Sequence, residues 1–428
     1  MRCRRIPLLL IFAIAALSAG KVSADTGSAG AVALAIRKEA GGSLKTFYAG
    51  REFRPLWAPG GKIGRQADTL IGFLKSAELD GLKPSSYDIE ELSEAIEAAD
   101  GGDPIAVARA ELELSTAFAR YVNDLRRPGG VRMTYADRKL KPKRLRAAWV
   151  LRAAAFPKSF DDYVTGMGWM SPHYVRLRQL AARLNKQGAS REVMARLQLN
   201  LDRARLLPSP WTRHIVVDAA SSRLWYYEAG TRVGTMRVVV GAAETQTPML
   251  AGMMQWAIVN PYWNVPDYLV RTSIAHKILS GRSLESMDME ALSDWSASPR
   301  NLDPATIDWP AVASGKQEVR LRQLPAANNS MGRVKFLFPN KEGIYLHDTP
   351  DRDLLKKSDR HLSNGCIRLE NAAQLGRWLL QKPIPTALKE PEQPIPLPVQ
   401  VPVYLTYITA TPTDAGIGFL EDIYRRDK

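Results

Sequence analysis

Cysteine and histidine are scarce in this sequence of 428 residues, which contains two cysteines and five histidines. The histidines and cysteines do not show the spacing of a zinc site. The usual glycine-rich loops that bind phosphate groups are also missing. The sequence therefore predicts no metal centre and no cofactor.

The hydrophobic run near the N-terminus is short. Residues 6–17 are apolar, follow three arginines, and precede small residues that end at Ala24. This order is typical of a secretory signal peptide, and the run is too short to span a bilayer comfortably as a permanent anchor. We predict that residues 1–24 are a signal peptide cleaved near Ala24. The exported protein would then meet the membrane only through this transient segment.

Export changes what the cysteines can do. Cys3 would leave with the signal peptide, so the mature chain would carry Cys366 alone and could form no internal disulfide. A lone thiol in an oxidising compartment is unusual unless it has chemistry to perform, although many single cysteines are buried and inert. The glycine, serine and arginine beside Cys366 argue against apolar burial. The functional interpretation is therefore favoured.

Acidic residues are outnumbered by basic ones. The chain has 59 Lys and Arg against 44 Asp and Glu, a net charge of +15, and loss of the four signal-peptide cations would leave +11. A basic exported protein suits a carboxylate-rich cell wall or an anionic membrane face. Nucleic acid is the usual alternative partner of a basic protein, but export disfavours it.

The spacing of apolar residues divides the chain into two kinds of structure. We expect a flexible, Ala/Gly-rich start at 25–42 and a helical domain at 43–211, with helix starts at Asp88 (a capping box), Ser171 and Ser190. A β-rich domain is expected at 212–428, interrupted by a helix-like segment at 266–325 and followed by a helix capped at Asn371. The fold class is therefore α+β. The apolar helix stripes include Leu70, Leu74 and Ala77; Leu114, Phe118, Tyr121 and Leu125; Leu177, Leu180 and Leu184; and Met194, Leu197 and Leu201. The predicted strands are 214–218, 223–228 and 235–240, and a proline-rich connector is predicted at 383–398.

Residues 343–371 combine Cys366 with two of the five histidines, His347 and His361. A thiol attacks a carbonyl as the thiolate, so it needs a base or a positive field nearby. His347 ends an apolar, strand-like run and precedes a turn signal, whereas His361 lies five residues before Cys366. Either histidine could serve on this pattern. A papain-like protease is excluded because its cysteine precedes its histidine.

The residues around Cys366 suggest further roles. Ser363 and Gly365 allow the backbone to turn tightly, and the Gly365 and Cys366 amides, with Ser363, are candidates for binding an oxyanion. Arg368 could hold a substrate carboxylate by a bidentate contact or orient the cysteine loop. These two roles of Arg368 cannot be separated by sequence. Of the remaining histidines, His173 is expected to be structural or solvated and His214 to be structural. His276 could line the cleft, but a lone histidine on a helix is more often a surface residue.

The spacing of a strand-borne His-x-Thr and a Ser-x-Gly-Cys-x-Arg, with Cys366 nineteen residues after His347, resembles the L,D-transpeptidase (YkuD-type) catalytic domain. The runs 331–340 and 344–350 are similar to its large, periplasmic YcbB-like branch, and residues 54–57 and 80–84 resemble the scaffold domain of that branch. We expect the peptidoglycan-binding module often inserted in that branch to be absent, since only residues 185–189 separate the flanking helices.

The resemblance implies the following roles. Cys366 would be the nucleophile and His347 its proton acceptor and donor, with His361 as the runner-up base and more simply a loop residue. Asn364 stands where many relatives have histidine, which removes one imidazole from the loop but not the nucleophile. Residues 266–325 would form a capping subdomain over the cleft.

The same resemblance implies a periplasmic enzyme of peptidoglycan synthesis, cell wall organisation and cell shape. Its partners would be peptidoglycan stem peptides, a tetrapeptide as donor and a diaminopimelate amine as acceptor, joined in a 3→3 cross-link through a thioester. Carbapenems would acylate Cys366. Two alternatives remain: an L,D-carboxypeptidase or peptidoglycan hydrolase of the same fold, and an inactive wall-binding scaffold.

Overall fold

The computed structural model describes residues 25–127, 129–296, 298–385, 390–413 and 416–427. The predicted signal peptide, with Cys3, lies outside the described residues. Among those residues, none of the helices has the length and apolar character needed to cross a membrane.

Helices dominate the first half of the chain, which confirms the predicted helical N-terminal region. A π-helical turn, Val270–Ile274, joins α10 to α11. The helices are α1 (Asp25–Glu39), α2 (Gly42–Ala49), α3 (Gln66–Lys75), α4 (Ile89–Ala99), α5 (Pro104–Leu125), α6 (Ala147–Ala155), α7 (Phe160–Thr165), α8 (Pro172–Lys186), α9 (Arg191–Ala204), α10 (Asp267–Leu269), α11 (Ala275–Leu279), α12 (Trp309–Ala313) and α13 (Ala372–Leu380).

Strands dominate the second half, so the predicted α+β fold class is confirmed. The strands are β1 (Thr134–Tyr135), β2 (His214–Asp218), β3 (Arg223–Glu228), β4 (Thr231–Gly241), β5 (Leu250–Val259), β6 (Trp263–Asn264), β7 (Met289–Leu292), β8 (Asn301–Leu302), β9 (Arg320–Gln323), β10 (Val334–Leu337), β11 (Leu346–His347), β12 (His361–Ser363), β13 (Ile367–Leu369), β14 (Gln393–Thr406), β15 (Ala410–Thr413) and β16 (Gly416–Phe419).

The largest sheet closes on itself. Its order is β1-β5-β10-β11-β13-β4-β3-β2-β14, with β12 also paired to β4, and β14 pairs with β5 as well as with β2. Fully buried side chains such as Ile215, Val238, Phe336 and Leu405 fill its core, and α13 packs Leu375 against them. This closed sheet fixes β11, which carries His347, and β13, which begins directly after Cys366.

The chain forms two compact units. The first comprises residues 25–75, 85–120 and 146–161 of the described chain, and the second comprises 76–84, 121–145 and 162–427. Helices α8 and α9 belong to the second unit, in which the Asn200 side chain bonds to the backbone and hydroxyl of Thr409. The domain boundaries drawn at 42 and 211 stay a prediction.

The first unit is organised around a buried carboxylate. Glu111 of α5 accepts hydrogen bonds from the backbone N–H groups of Leu56, Trp57 and Ala58 at 2.6, 2.9 and 3.1 Å. The Tyr48 hydroxyl lies 2.6 Å from the same carboxylate. The Arg-Pro-Leu-Trp motif noted in the sequence is therefore a loop held by Glu111.

Two local predictions in this unit were wrong. The expected flexible start is α1, because alanine favours helix and the spacing of Val32 and Ile36 lets both side chains be fully buried. The expected capping box at Asp88 does not form, since Asp88 has a φ of 47° and its side chain makes no cap hydrogen bond. An N-cap that binds through its side chain normally has extended backbone angles. By contrast, Ser171 and Ser190 cap α8 and α9 as predicted.

The proline-rich stretch is not wholly a connector. From residue 393 it forms β14, which pairs antiparallel with β5 at Gln393–Pro396 and Val401–Leu405. In the described residues β2 pairs with β14 over Val403–Thr406, so the start of β14 has an open side. Proline, which lacks an N–H, is tolerated at such an edge.

The segment 266–325 has its own core within the second unit. Leu321, Val270 and Trp309 are buried there between helices α10 to α12 and a four-stranded sheet in the order β6-β9-β7-β8. The segment was expected to be helix-like, but it also contains strands. These strands are only two to four residues long, which is too short for an alternating pattern to be recognised in the sequence.

Candidate active site

Two neighbouring strands bring the predicted nucleophile and base together. Strands β11 and β13 are parallel, with His347 paired to Arg368, and Cys366 immediately precedes β13. Cys366 and His347 line the same cavity of about 680 Å³. Tyr268 and Leu269 of the segment 266–325 line it too.

Cys366 is partly buried at the floor of this cavity. Its sulfur lies 3.6 Å from the Gly343 carbonyl, and the hydroxyl and backbone N–H of Tyr345 are close enough to lower the pKa of the thiol. Burial raises the pKa of the thiol to about 11, more than Tyr345 and the Arg368 charge lower it. At neutral pH the group is therefore a thiol, which needs a proton acceptor before it can attack.

His347 is held in the tautomer that a proton acceptor requires. Its ring is buried, and Nδ1 lies 2.6 Å from the Asp348 backbone carbonyl. A carbonyl can only accept, so Nδ1 carries the proton and Nε2 is left with a free lone pair. Burial, followed by the Arg368 charge, lowers the pKa of His347 to about 3. The imidazole is thus neutral at neutral pH.

The turn after His347 is fixed by Asp348. Its carboxylate accepts from the Arg333 backbone N–H at 3.0 Å and from the Arg352 guanidinium at 2.8 Å. Arg352 also donates to the Glu370 carbonyl. Gly332, with a φ of 61°, leaves no room for a side chain, because a Cβ would lie 2.5 Å from that carboxylate. Asp348 therefore positions the carbonyl that orients His347.

The loop before Cys366 is also tightly held. The Ser363 hydroxyl donates to the Cys366 carbonyl at 2.6 Å and accepts from the Gly365 N–H at 3.2 Å. Thr247 donates to the Gly365 carbonyl at 2.8 Å. Gly365 has a φ of 104°, which strongly favours glycine. These contacts support an orienting role for Ser363 and Gly365 and direct the Gly365 N–H to Ser363. The Cys366 N–H stays a candidate for an oxyanion.

His361 is placed differently from His347. Its Nδ1 lies 2.6 Å from the Asp359 carboxylate and its Nε2 lies 2.8 Å from the Ala219 carbonyl. Both ring nitrogens are engaged in the described structure, and His361 does not line the cavity. This placement supports the interpretation of His361 as a loop residue.

Arg368 lines the cavity beside His347. Its Nε is buried and has no hydrogen-bond partner among the described residues. Burial lowers the pKa of its guanidinium. The residue as a whole is only partly buried and lines the cavity, so its guanidinium can meet a substrate carboxylate, and we favour this role over orienting the loop.

The remaining histidines lie elsewhere. His173 and His214 are buried, and their rings pack against Trp225 and Tyr227 respectively. His276 is exposed on α11 and does not line the cavity. In the described part of the chain no group of three His, Cys, Asp or Glu side chains could hold a metal.

Sequence reasoning missed Tyr345 and Asp348. Tyr345 lies in the predicted strand two residues before His347, so alternation places both side chains on the same face. That spacing was the available signal for Tyr345. The role of Asp348 depends on Arg333 and Arg352 and gave no local signal.

Comparisons with known proteins match both parts of the chain. A model of the L,D-transpeptidase catalytic domain, YkuD, matches residues 212–401, and a model named Scaffold domain matches residues 42–180. A curated protein of Haemophilus influenzae named "Putative L,D-transpeptidase" is 31% identical over 243 residues, which cover 55% of this chain and 49% of that protein. The chain thus spans about half the length of the curated relative it matches.

The solved structures that match include two L,D-transpeptidases. An L,D-transpeptidase from Mycobacterium smegmatis is 11% identical, with a TM-score of 0.22 over 45% of this chain and 58% of the other. An L,D-transpeptidase mutant from Enterococcus faecium is 12% identical, with a TM-score of 0.19 over 68% of this chain and 99% of the other.

Proposed function

Since the chain carries a YkuD L,D-transpeptidase catalytic domain together with a scaffold domain, as in YcbB-like proteins, we propose that it is a peptidoglycan L,D-transpeptidase that forms 3→3 cross-links through a thioester on Cys366. The observation that carries the proposal is the shared cavity of Cys366 and His347, with His347 Nε2 free to accept a proton.

In the first step, Cys366 Sγ attacks the carbonyl of the L,D peptide bond before the terminal D-alanine of a tetrapeptide stem. His347 Nε2 takes the thiol proton as the S–C bond forms. The C–N bond then breaks, and the leaving D-alanine amine takes that proton from the imidazolium. The products are D-alanine and a thioester on Cys366.

In the second step, the side-chain amine of a diaminopimelate on another stem attacks the thioester. His347 accepts a proton from the amine, the C–S bond breaks, and the proton passes to the departing sulfur. The free thiol returns and the two stems are joined by an amide. Arg368 is suited to hold a stem carboxylate during both steps.

Both steps pass through a tetrahedral oxyanion. The Cys366 N–H and the Tyr345 hydroxyl are the donors we assign to it, since both belong to groups beside the sulfur. The Tyr345 hydroxyl would donate its hydrogen bond to the oxyanion, instead of the sulfur, as the oxyanion forms. Donors of this kind contribute most when the fold already holds them in position.

The test uses purified mature protein and purified tetrapeptide stems that carry the diaminopimelate amine. We expect D-alanine release and a cross-linked dimer, seen by chromatography and mass spectrometry, and neither product from the Cys366→Ala variant. Dimer formation by Cys366→Ala would overturn the mechanism.

The alternative is a hydrolase or L,D-carboxypeptidase, in which water takes the thioester. Tripeptides as the only product, whatever amine is supplied, would establish that alternative. An inactive scaffold would release no D-alanine, and its thiol would not be acylated, so these two assays distinguish it from both enzymes.

Export through cleavage near Ala24 belongs to the same proposal. It is tested by N-terminal sequencing of the protein recovered from the periplasm.

A further inference from the structure

The walls of the active-site cavity carry charges that the mechanism above does not use. Lys277 and Arg282 line it from the segment 266–325, and Glu342 lines it from the turn between β10 and β11. None of these three side chains forms an ion pair or a hydrogen bond within the described residues. Charges left open in a concave site are available to a ligand.

The turn that carries Glu342 lies beside the thiol. Glu342 is adjacent in sequence to Gly343, whose carbonyl is 3.6 Å from Cys366 Sγ. Gly343 has a φ of 64°, so the chain turns sharply there. A carboxylate at position 342 is therefore one residue away from the atom that contacts the nucleophile.

This turn is also rigid. The Asn340 side chain donates to the carbonyls of Phe338 and Ile344 at 2.8 and 2.7 Å. It accepts from the Ile344 N–H at 3.0 Å. Asn340 thus closes the turn at both ends, which gives the last residue of the run 331–340 a structural role. Because the backbone that carries Glu342 is already fixed, binding a cation there would need to order the side chain alone.

We propose that Glu342 binds the ammonium group of the acceptor, and that Lys277 and Arg282 bind the carboxylate on the same carbon. The site would thus take an amino-acid centre that bears a free amine beside a free carboxylate. This inference rests on the proposed function, because it names what the second step recognises. Glu342 is a binding residue for the acceptor and not the base, a role that stays with His347.

The pairing also explains how an amine could compete with water. The acceptor arrives as an ammonium ion, is held beside the thioester, and loses one proton to solvent to become the amine that attacks. His347 then accepts the second proton from the attacking nitrogen and passes it to the departing sulfur. The opposite charges of Glu342 and of Lys277 and Arg282 would give the bound acceptor one orientation, with its amine at Glu342 and its carboxylate at the two cations. Loss of Glu342 should therefore weaken the second step and leave the first step unchanged.

The experiment compares Glu342→Gln with wild type and with Lys341→Gln, a matched control at the next residue, whose side chain is exposed and does not line the cavity. The burst of D-alanine released in the first turnover reports the first step, and the dimer-to-tripeptide ratio at increasing acceptor concentration reports the second. We expect Glu342→Gln to need about tenfold more acceptor for half-maximal dimer formation. The rate of the D-alanine burst should stay within about twofold of wild type, and Glu342→Asp should recover part of the loss in dimer formation.

A second comparison tests the cationic wall. The acceptors are a tripeptide with a free diaminopimelate centre and the same tripeptide with the carboxylate of that centre amidated. Wild type should prefer the free form, and the double variant Lys277→Gln/Arg282→Gln should lose that preference. If the double variant keeps the preference, the carboxylate assignment is wrong.

The outcomes separate the two proposals. If wild type releases no D-alanine, the proposed function fails and this inference fails with it. If wild type makes dimers and Glu342→Gln makes them with the same dependence on acceptor, the inference alone is overturned. Equal thermal unfolding of the variants excludes misfolding as the cause of a loss.

Discussion

At the scale of single residues, the structure distinguishes two histidines that the sequence left as rivals. His347 keeps Nε2 free in the cavity, whereas both nitrogens of His361 are engaged by Asp359 and Ala219. The difference depends on partners that lie far apart in the sequence, since Ala219 is 142 residues from His361. Local sequence patterns could not have supplied it.

Replacing His347 should therefore cost far more activity than replacing His361. We expect His347→Gln to slow acylation by roughly 10²–10⁴-fold, the usual cost of a lost general base. His361→Gln should act mainly through the loop and lower thermal stability more than the rate. Single-turnover acylation rates of the two variants show which histidine is the base. Equal losses, or a larger loss at His361, would reverse the assignment.

The pH dependence of acylation should also reflect the burial of His347. Burial and Arg368 lower its pKa to about 3, so the imidazole stays neutral as the pH falls from 8 to 5. An ordinary histidine would be half protonated near pH 6.5. The acylation rate should thus be nearly flat from pH 8 to 5, measured by stopped flow with a substrate that does not titrate in that range. A half-maximal rate near pH 6.5 would argue against a buried, neutral base.

At the scale of elements, capping residues were predictable and paired contacts were not. Asn371, Ser171 and Ser190 accept from the first turns of their helices as expected, because a cap is a local interaction. Only the start of β14, residues 393–398, was predicted to be a connector because it is rich in proline, and the sequence does not show that it lies beside β5. The Arg-Pro-Leu-Trp loop was noted by resemblance, but its anchor, Glu111, lies 54 residues from Trp57.

The Glu111 anchor gives a prediction about local stability. Glu111→Gln leaves part of a buried set of N–H groups unsatisfied, which should cost about 1–3 kcal/mol. Glu113→Gln is the matched control, since Glu113 lies on the same helix and pairs with Arg109 at the surface, where a pair contributes about 0.3–0.5 kcal/mol. Hydrogen exchange of the Leu56, Trp57 and Ala58 amides should accelerate in Glu111→Gln alone. Unchanged exchange there would show that Glu111 does not hold the loop.

At the scale of the whole molecule, the order of helical and β-rich parts was predictable from periodicity. The two compact units were not, because segments 76–84 and 121–145 join the second unit through contacts rather than through sequence order. The cavity was predictable only in part. The sequence placed Cys366, His347 and the segment 266–325 in it, but the open charges at Lys277, Arg282 and Glu342 needed the folded structure.

Buried histidines in the second unit predict a loss of stability in mild acid. Burial lowers the pKa of His173 and His347 to about 3 and of His214 to about 4. The unfolded chain binds these three protons below about pH 6.5 and the folded chain does not, so stability falls as the pH drops from 6.5 towards 4.

Asp218 acts in the opposite sense. Burial raises its pKa to about 6, so the folded state binds its proton first and gains stability between pH 6 and 4. Three histidines outweigh one aspartate, so the folded state still loses stability as the pH falls. Each proton that the unfolded chain binds in excess of the folded chain costs about 1.4 kcal/mol of stability per pH unit. We expect the unfolding temperature to fall between pH 6.5 and 4.5, and to fall less in His173→Gln. A constant unfolding temperature would contradict the burial of neutral histidines.

The central claim is that Cys366 forms an acyl-enzyme in this cavity, and intact-mass spectrometry with a carbapenem tests it most directly. The strained lactam offers its carbonyl to the thiol, and ring opening keeps the leaving group tethered, so the adduct should accumulate. The account predicts a single adduct of one carbapenem per chain, absent in Cys366→Ala and slow to form in His347→Gln. No adduct on a fully reduced thiol, or an adduct that persists in Cys366→Ala, would contradict it.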